Sequence, residues 1–130
     1  MDSLLQFLTQ EELLEILEEN QDIKSLSKED IEEKIKYLQK LGCKVNDLLL
    51  GNPFYLTREL RDVENLITTL NERNIGSIAL LIEAYPNILN KDSYEIIEYF
   101  KKKEQEGLTE DEIVNKIEEN PSSLEDIDNE

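Results

Sequence analysis

Phe7-Leu8-Thr9-Gln10-Glu11-Glu12-Leu13-Leu14-Glu15-Ile16-Leu17-Glu18-Glu19-Asn20-Gln21 decides the fold, because the chain returns to it one hundred positions later. There it reads Gly107-Leu108-Thr109-Glu110-Asp111-Glu112-Ile113-Val114-Asn115-Lys116-Ile117-Glu118-Glu119-Asn120-Pro121. Two looser copies lie between them and end in Asn52-Pro53 and Tyr85-Pro86. The markers Gln21, Pro53, Pro86 and Pro121 are 32, 33 and 35 residues apart. That is the spacing of a helical-repeat array, in which each unit buries its apolar face only against its neighbours.

Each unit parses as a longer helix, a shorter helix and a Pro-x-x-Leu connector. The connectors are Pro53-Phe54-Tyr55-Leu56, Pro86-Asn87-Ile88-Leu89 and Pro121-Ser122-Ser123-Leu124. Proline stops the preceding helix, and leucine three positions on drops back into the core. The first copy, Gln21 to Leu26, lacks the proline and reads as about two residues longer. Thr9-x-x-Glu12 and Thr109-x-x-Glu112 match the capping box, in which hydroxyl and carboxylate satisfy two orphan amides. The middle short helices, Val45–Gly51 and Gly76–Tyr85, are apolar all round and belong between neighbours. Long helices are expected from about Ser27 to Leu41, Thr57 to Asn74 and Lys91 to Glu106. Their stripes are Ile31, Ile35, Leu38, Leu41; then Leu60, Val63, Leu66, Ile67, Leu70; then Tyr94, Ile97 and Phe100 with Ile96. Gly42, Asn74 and Gly107 follow these helices and suit left-handed caps. The chain therefore reads as about seven helices in three to four two-helix repeats of about 33 residues, all-α. One domain is expected over residues 1–124, followed by an acidic tail, 125–130, with Leu124 and Ile127 expected to dock on the last helix. The charge-rich end copies and apolar middle copies read as caps and core of a complete short array.

At 130 residues the chain suits a single domain with a real core. No apolar run approaches the ~18 residues of a membrane span. Asp2 near the start does not make a signal peptide, so a cytoplasmic location is expected, or an organellar matrix if a targeting segment was removed. One cysteine excludes an intrachain disulfide, and the absence of histidine removes the commonest general base and a usual zinc ligand. Net charge is −17, with −6 over residues 1–26, zero over 27–56, −2 over 57–89 and −9 over 90–130.

The pattern Leu38-x-x-Leu41-Gly42, about ten residues, then Asn52-Pro53-x-x-Leu56 resembles the repeat of the mitochondrial transcription termination factor (mTERF) family. Leu70, Asn74 and Pro86-x-x-Leu89 fit the same template, as do Phe100, Gly107 and Pro121-x-x-Leu124, with Asn74 departing from glycine. The resemblance covers residues 7–124. It implies a right-handed α-solenoid whose curved face binds duplex DNA or RNA in organellar transcription and RNA metabolism. Family members meet phosphates with Arg and Lys, whereas a −17 chain repels a polyanion.

Six residues are candidate partner or nucleic-acid contacts: Lys36, Lys40, Lys44, Tyr55, Arg58 and Arg61. Lys36, Lys40 and Lys44, with Lys34, form either a phosphate-contacting ridge or a solvated face paired to Glu29, Asp30, Glu32 and Glu33. Arg58 and Arg61 suit bidentate contacts, or pair locally with Asp62 and Glu64. Tyr55 either is an exposed anchor, with Phe54 and Leu56 facing the core, or packs between successive units as aromatics beside connectors usually do. Lys101-Lys102-Lys103 closes a helix against its dipole. Cys43 reads as a half-buried structural thiol with no base beside it. No phosphate loop, dinucleotide turn, calcium loop or CxxC pair appears, so no catalytic residue, cofactor or metal is expected. The expected role is a non-catalytic interaction module for a protein with a basic surface. The alternatives are a nucleic-acid-binding regulator and an acidic nucleic-acid mimic.

Overall fold

The computed structural model describes residues 2–124 of the chain. Among them lie seven α-helices and no strand: α1 (Gln10–Glu19), α2 (Lys28–Leu41), α3 (Val45–Gly51), α4 (Leu60–Glu72), α5 (Ile78–Ala84), α6 (Ser93–Gln105) and α7 (Glu110–Glu119). The chain divides into two compact units, Met1–Glu59 and Leu60–Glu130. The expected order of short and long helices holds. Helix α3 fills its sequence window, Val45–Gly51, whereas α4, α5 and α6 start two or three residues later and end one or two residues earlier than theirs.

Those turns are the repeat's most regular part. Gln21–Ser25, Pro53–Thr57 and Pro86–Asn90 each form a five-residue 3-10 turn, and residues 121–124 form another. The residue entering each turn, Asn20, Asn52, Tyr85 or Asn120, has φ between −139° and −150° and ψ between 77° and 88°. Its amide still closes the preceding helix, as in Asn52 N to Leu48 O at 2.7 Å, and its carbonyl opens the turn, as in Asn120 O from Ser123 N at 2.9 Å. Proline enforces this extended entry in three copies. In the first copy Asn20 does so with its side chain, donating from Nδ2 to Pro53 O at 3.2 Å and Thr57 Oγ1 at 3.0 Å. The first connector is consequently no longer than the others. From turn start to helix start, Gln21 to Lys28, Pro53 to Leu60 and Pro86 to Ser93 all span seven positions.

Helix ends follow the sequence signals. Thr9 Oγ1 accepts from Glu12 N at 3.1 Å while Glu12 Oε1 accepts from Thr9 N at 2.9 Å, and Thr109 with Glu112 repeats the box at 3.2 and 3.1 Å. Gly42, Asn74 and Gly107 have φ of 85°, 63° and 97°. After α2 the bonds Cys43 N to Leu38 O and Gly42 N to Gln39 O, both 3.0 Å, satisfy the last carbonyls. Leu108 N to Lys103 O and Gly107 N to Glu104 O do the same after α6.

In the first unit α1, α3 and the turns at 21–25 and 53–57 pack together, and α2 lies on α3. In the second unit α4 packs along α6, with Val63, Leu66 and Leu70 of α4 and Ile96, Tyr99 and Phe100 of α6 buried. Three expectations about facing are corrected. Phe54 is 48% exposed whereas Tyr55 is fully buried, because a 3-10 turn of period three sends residues 55 and 56 inward together. The α6 stripe runs through Ile96, Tyr99 and Phe100, which leaves Tyr94 63% exposed. Leu80 of α5 is 65% exposed, so that helix is not apolar on a fully covered surface. Ser122 to Leu124 are ordered by the fourth turn, with Leu124 buried as expected. The expected docking of Ile127 and the tail 125–130 lie outside the described residues.

Candidate functional site

The candidate contacts divide sharply by burial. Lys36 and Lys40 project from exposed positions of α2, and Lys44 is the exposed residue that precedes α3. None of the three joins an ion pair among the described residues; on α2 the pair is Lys28 with Glu32, at 3.9 Å. Lys36 lines a shallow hollow of about 200 Å³ with Phe7, Ile35, Gln39 and Glu32. Arg58, which closes the turn at 53–57, is half-buried and Arg61 is exposed.

Tyr55 is not a surface anchor. Its hydroxyl donates to the Lys34 carbonyl at 2.7 Å, and the Lys34 ammonium donates to Leu56 O at 2.7 Å. Helix α2 and the turn at 53–57 are therefore held by two reciprocal buried bonds. Burial, then the neighbouring Tyr37 and Cys43, push the Tyr55 phenol well above the usual tyrosine range. Lys34 likewise leaves the expected lysine ridge. It sits within the stripe Ile31, Ile35, Leu38, and the turn's carbonyl draws its amine inward. Its register, i+3 from Ile31 and i−4 from Leu38, was the sequence signal that could have shown this.

Further cations are spent internally in the second unit. Lys91 is 5% exposed and lies 3.9 Å from Glu95. The Arg73 guanidinium stacks 4.9 Å from the Phe100 ring centre. Lys103 lies 5.5 Å from the Tyr99 ring centre and pairs with Glu106 at 3.3 Å. With Lys102 it also sits in the last turn of α6, as the basic run predicts. By contrast most of the described acids stay exposed. Glu11, Glu15, Glu18 and Glu19 share one exposed face of α1, and Glu110, Asp111, Glu112, Glu118 and Glu119 are exposed on α7. By sequence the first unit holds seven cations and thirteen acids, the second seven and eighteen.

Proline-bounded two-helix units, left-handed caps after each long helix and an identical turn entry in four copies are a repeat's geometry. A family model described as mTERF matches residues 4–125, through all four copies. The chain belongs to the mTERF family. Neither the curated proteins nor the solved structures provide a match. The mTERF assignment accounts for the departures as well: Asn74 takes the same left-handed cap as Gly42 and Gly107, so the motif's glycine is replaced without changing the backbone. Among the described residues of this mTERF chain, no group of three or more His, Cys, Asp or Glu is placed to hold a metal ion. No described helix is long and apolar enough to cross a membrane.

Proposed function

We propose that this mTERF-family chain is a non-catalytic interaction module that binds a protein with a basic surface. One observation carries the reading: the fold draws five of its fourteen cations, Lys34, Arg58, Arg73, Lys91 and Lys103, off the exposed surface while it leaves most of the described acids exposed. Lys34, Lys91, Arg73 and Lys103 are committed to carbonyl, carboxylate or ring partners, so the outer surface is more acidic than the composition suggests. Phosphate contacts supply most nucleic-acid affinity, and such a surface repels them. It attracts a basic protein instead and speeds encounter with it. Affinity capture from a matched lysate at low salt, with and without nuclease, tests this. A basic protein retained after nuclease supports the reading, and recovery that disappears with nuclease overturns it.

A second reading keeps the nucleic-acid role that the mTERF family suggests. It is favoured by Lys36, Lys40 and Lys44, which are exposed and without ion pairs among the described residues. A gel shift at ~50 mM salt, where electrostatic binding is strong, would show it, and Lys36→Glu with Lys40→Glu would abolish it.

A further inference from the structure

We infer that the groove between α5 and α7 in the second unit docks a basic partner peptide through one apolar anchor residue. The inference rests on the protein-binding reading above and places it on a surface. The groove encloses about 240 Å³ and is lined by Ile75, Leu80, Leu81, Ala84, Pro121 and Glu118. Leu80 stands at its edge 65% exposed, and Ala84, one helical turn on, is exposed as well.

The repeat shows that Leu80 is out of pattern. Counting back five positions from the residue that enters each turn gives Glu15, Asp47, Leu80 and Asn115. Three copies put a polar side chain at this outward position and α5 puts leucine there. Shortening also matters. α5 has seven residues where α7 has ten, so the loop at Ile75–Ser77 and the end of α7 border a hollow instead of closing it. The hollow has room for one large apolar side chain.

Charge selects the occupant. Glu118 Oε1 accepts from Gly76 N at 3.1 Å, which ties the loop to α7, and Oε2 has no protein donor among the described residues. Glu83 is exposed three positions after Leu80, and the lining holds no cation. A second copy of the chain would bring another −17 to this rim. The chain's own residues after Leu124 carry four acids and one apolar residue, the wrong sign for the same rim. A segment with Lys or Arg flanking Leu, Ile or Phe matches both the hollow and its carboxylates.

The test titrates the full-length ¹⁵N-labelled chain with a short synthetic peptide of Leu and Lys at helical spacing. The expected amide shifts centre on Gly76, Leu80, Ala84 and Glu118. Leu80→Asp, which installs the residue type found at Asp47, weakens binding by about tenfold or more without lowering the melting temperature. Control peptides with every Leu changed to Ser, or every Lys to Glu, bind no better than background. Shifts centred elsewhere, unchanged affinity in Leu80→Asp, or no binding of the Lys/Leu peptide overturn the groove proposal. The broader protein-binding reading falls only if nuclease-resistant capture of a basic protein also fails, so the two failures are separable.

Discussion

Tyr55→Phe removes a single oxygen and tests the inward assignment of the turn at 53–57. The ring keeps its packing, and the 2.7 Å bond to Lys34 O is lost. A bond of this kind is worth about 0.5–1.5 kcal/mol net. Lys34 O keeps its helical amide partner, so no acceptor is orphaned, and the small void adds a few tenths of a kcal/mol at most. A loss of about 1–1.5 kcal/mol lowers the melting temperature of a chain this size by about 4–6 °C at pH 7. Alkaline pH supplies a second readout. The folded phenol titrates above its unfolded value of about 10, so the wild type is fully stabilised below pH 10 and loses stability as pH rises beyond it. By pH 11 the loss from this one group reaches about 1.4 kcal/mol, which Tyr55→Phe does not suffer. The two curves, followed by far-ultraviolet circular dichroism, therefore converge between pH 10 and 11. A shift within about 1 °C at pH 7, or a gap unchanged at pH 11, would refute the buried hydroxyl.

Phe54→Ala, at a half-exposed ring, costs under about 1 kcal/mol, whereas Tyr55→Ala costs about 3–5 kcal/mol; urea titrations of the pair decide which residue faces the core. Asn20→Ala removes both bonds to the next turn and costs about 1–3 kcal/mol, while Asn120→Ala, whose residue is exposed, costs less in the same assay. Gly107→Ala loses about 1 kcal/mol purely from its φ of 97°, since nothing lies within 4 Å of an added Cβ. Thr109→Ala dismantles the capping box of α7 and costs about 1 kcal/mol by thermal melting.

Backbone-driven features were legible in the sequence, because they are written in residue types with few alternatives. Gly42, Asn74 and Gly107 marked left-handed caps, Thr9 and Thr109 marked helix starts, and proline marked turn entries. Facing was harder to read. Phe54-Tyr55-Leu56 offers three apolar residues in a row, and only the 3-10 geometry decides that the first one points out. Tyr94, Ile97 and Phe100 form a helical stripe as acceptable as Ile96, Tyr99 and Phe100. Packing along α4 selects the second. The first turn looked longer because Asn20 supplies by hydrogen bonding what proline supplies by its ring. Of the candidate contacts, Lys36, Lys40 and Lys44 were placed correctly on the surface. Tyr55 was not, since an aromatic between two apolar neighbours carries no sign of where its hydroxyl finds a partner.

Fluorescence anisotropy of labelled duplex DNA and duplex RNA against the full chain at ~50 mM salt tests the central claim most directly, because low salt favours any phosphate contact. The account predicts no saturable rise for either probe. A saturable rise that weakens as salt is added, and that Lys36→Glu with Lys40→Glu removes, would contradict it.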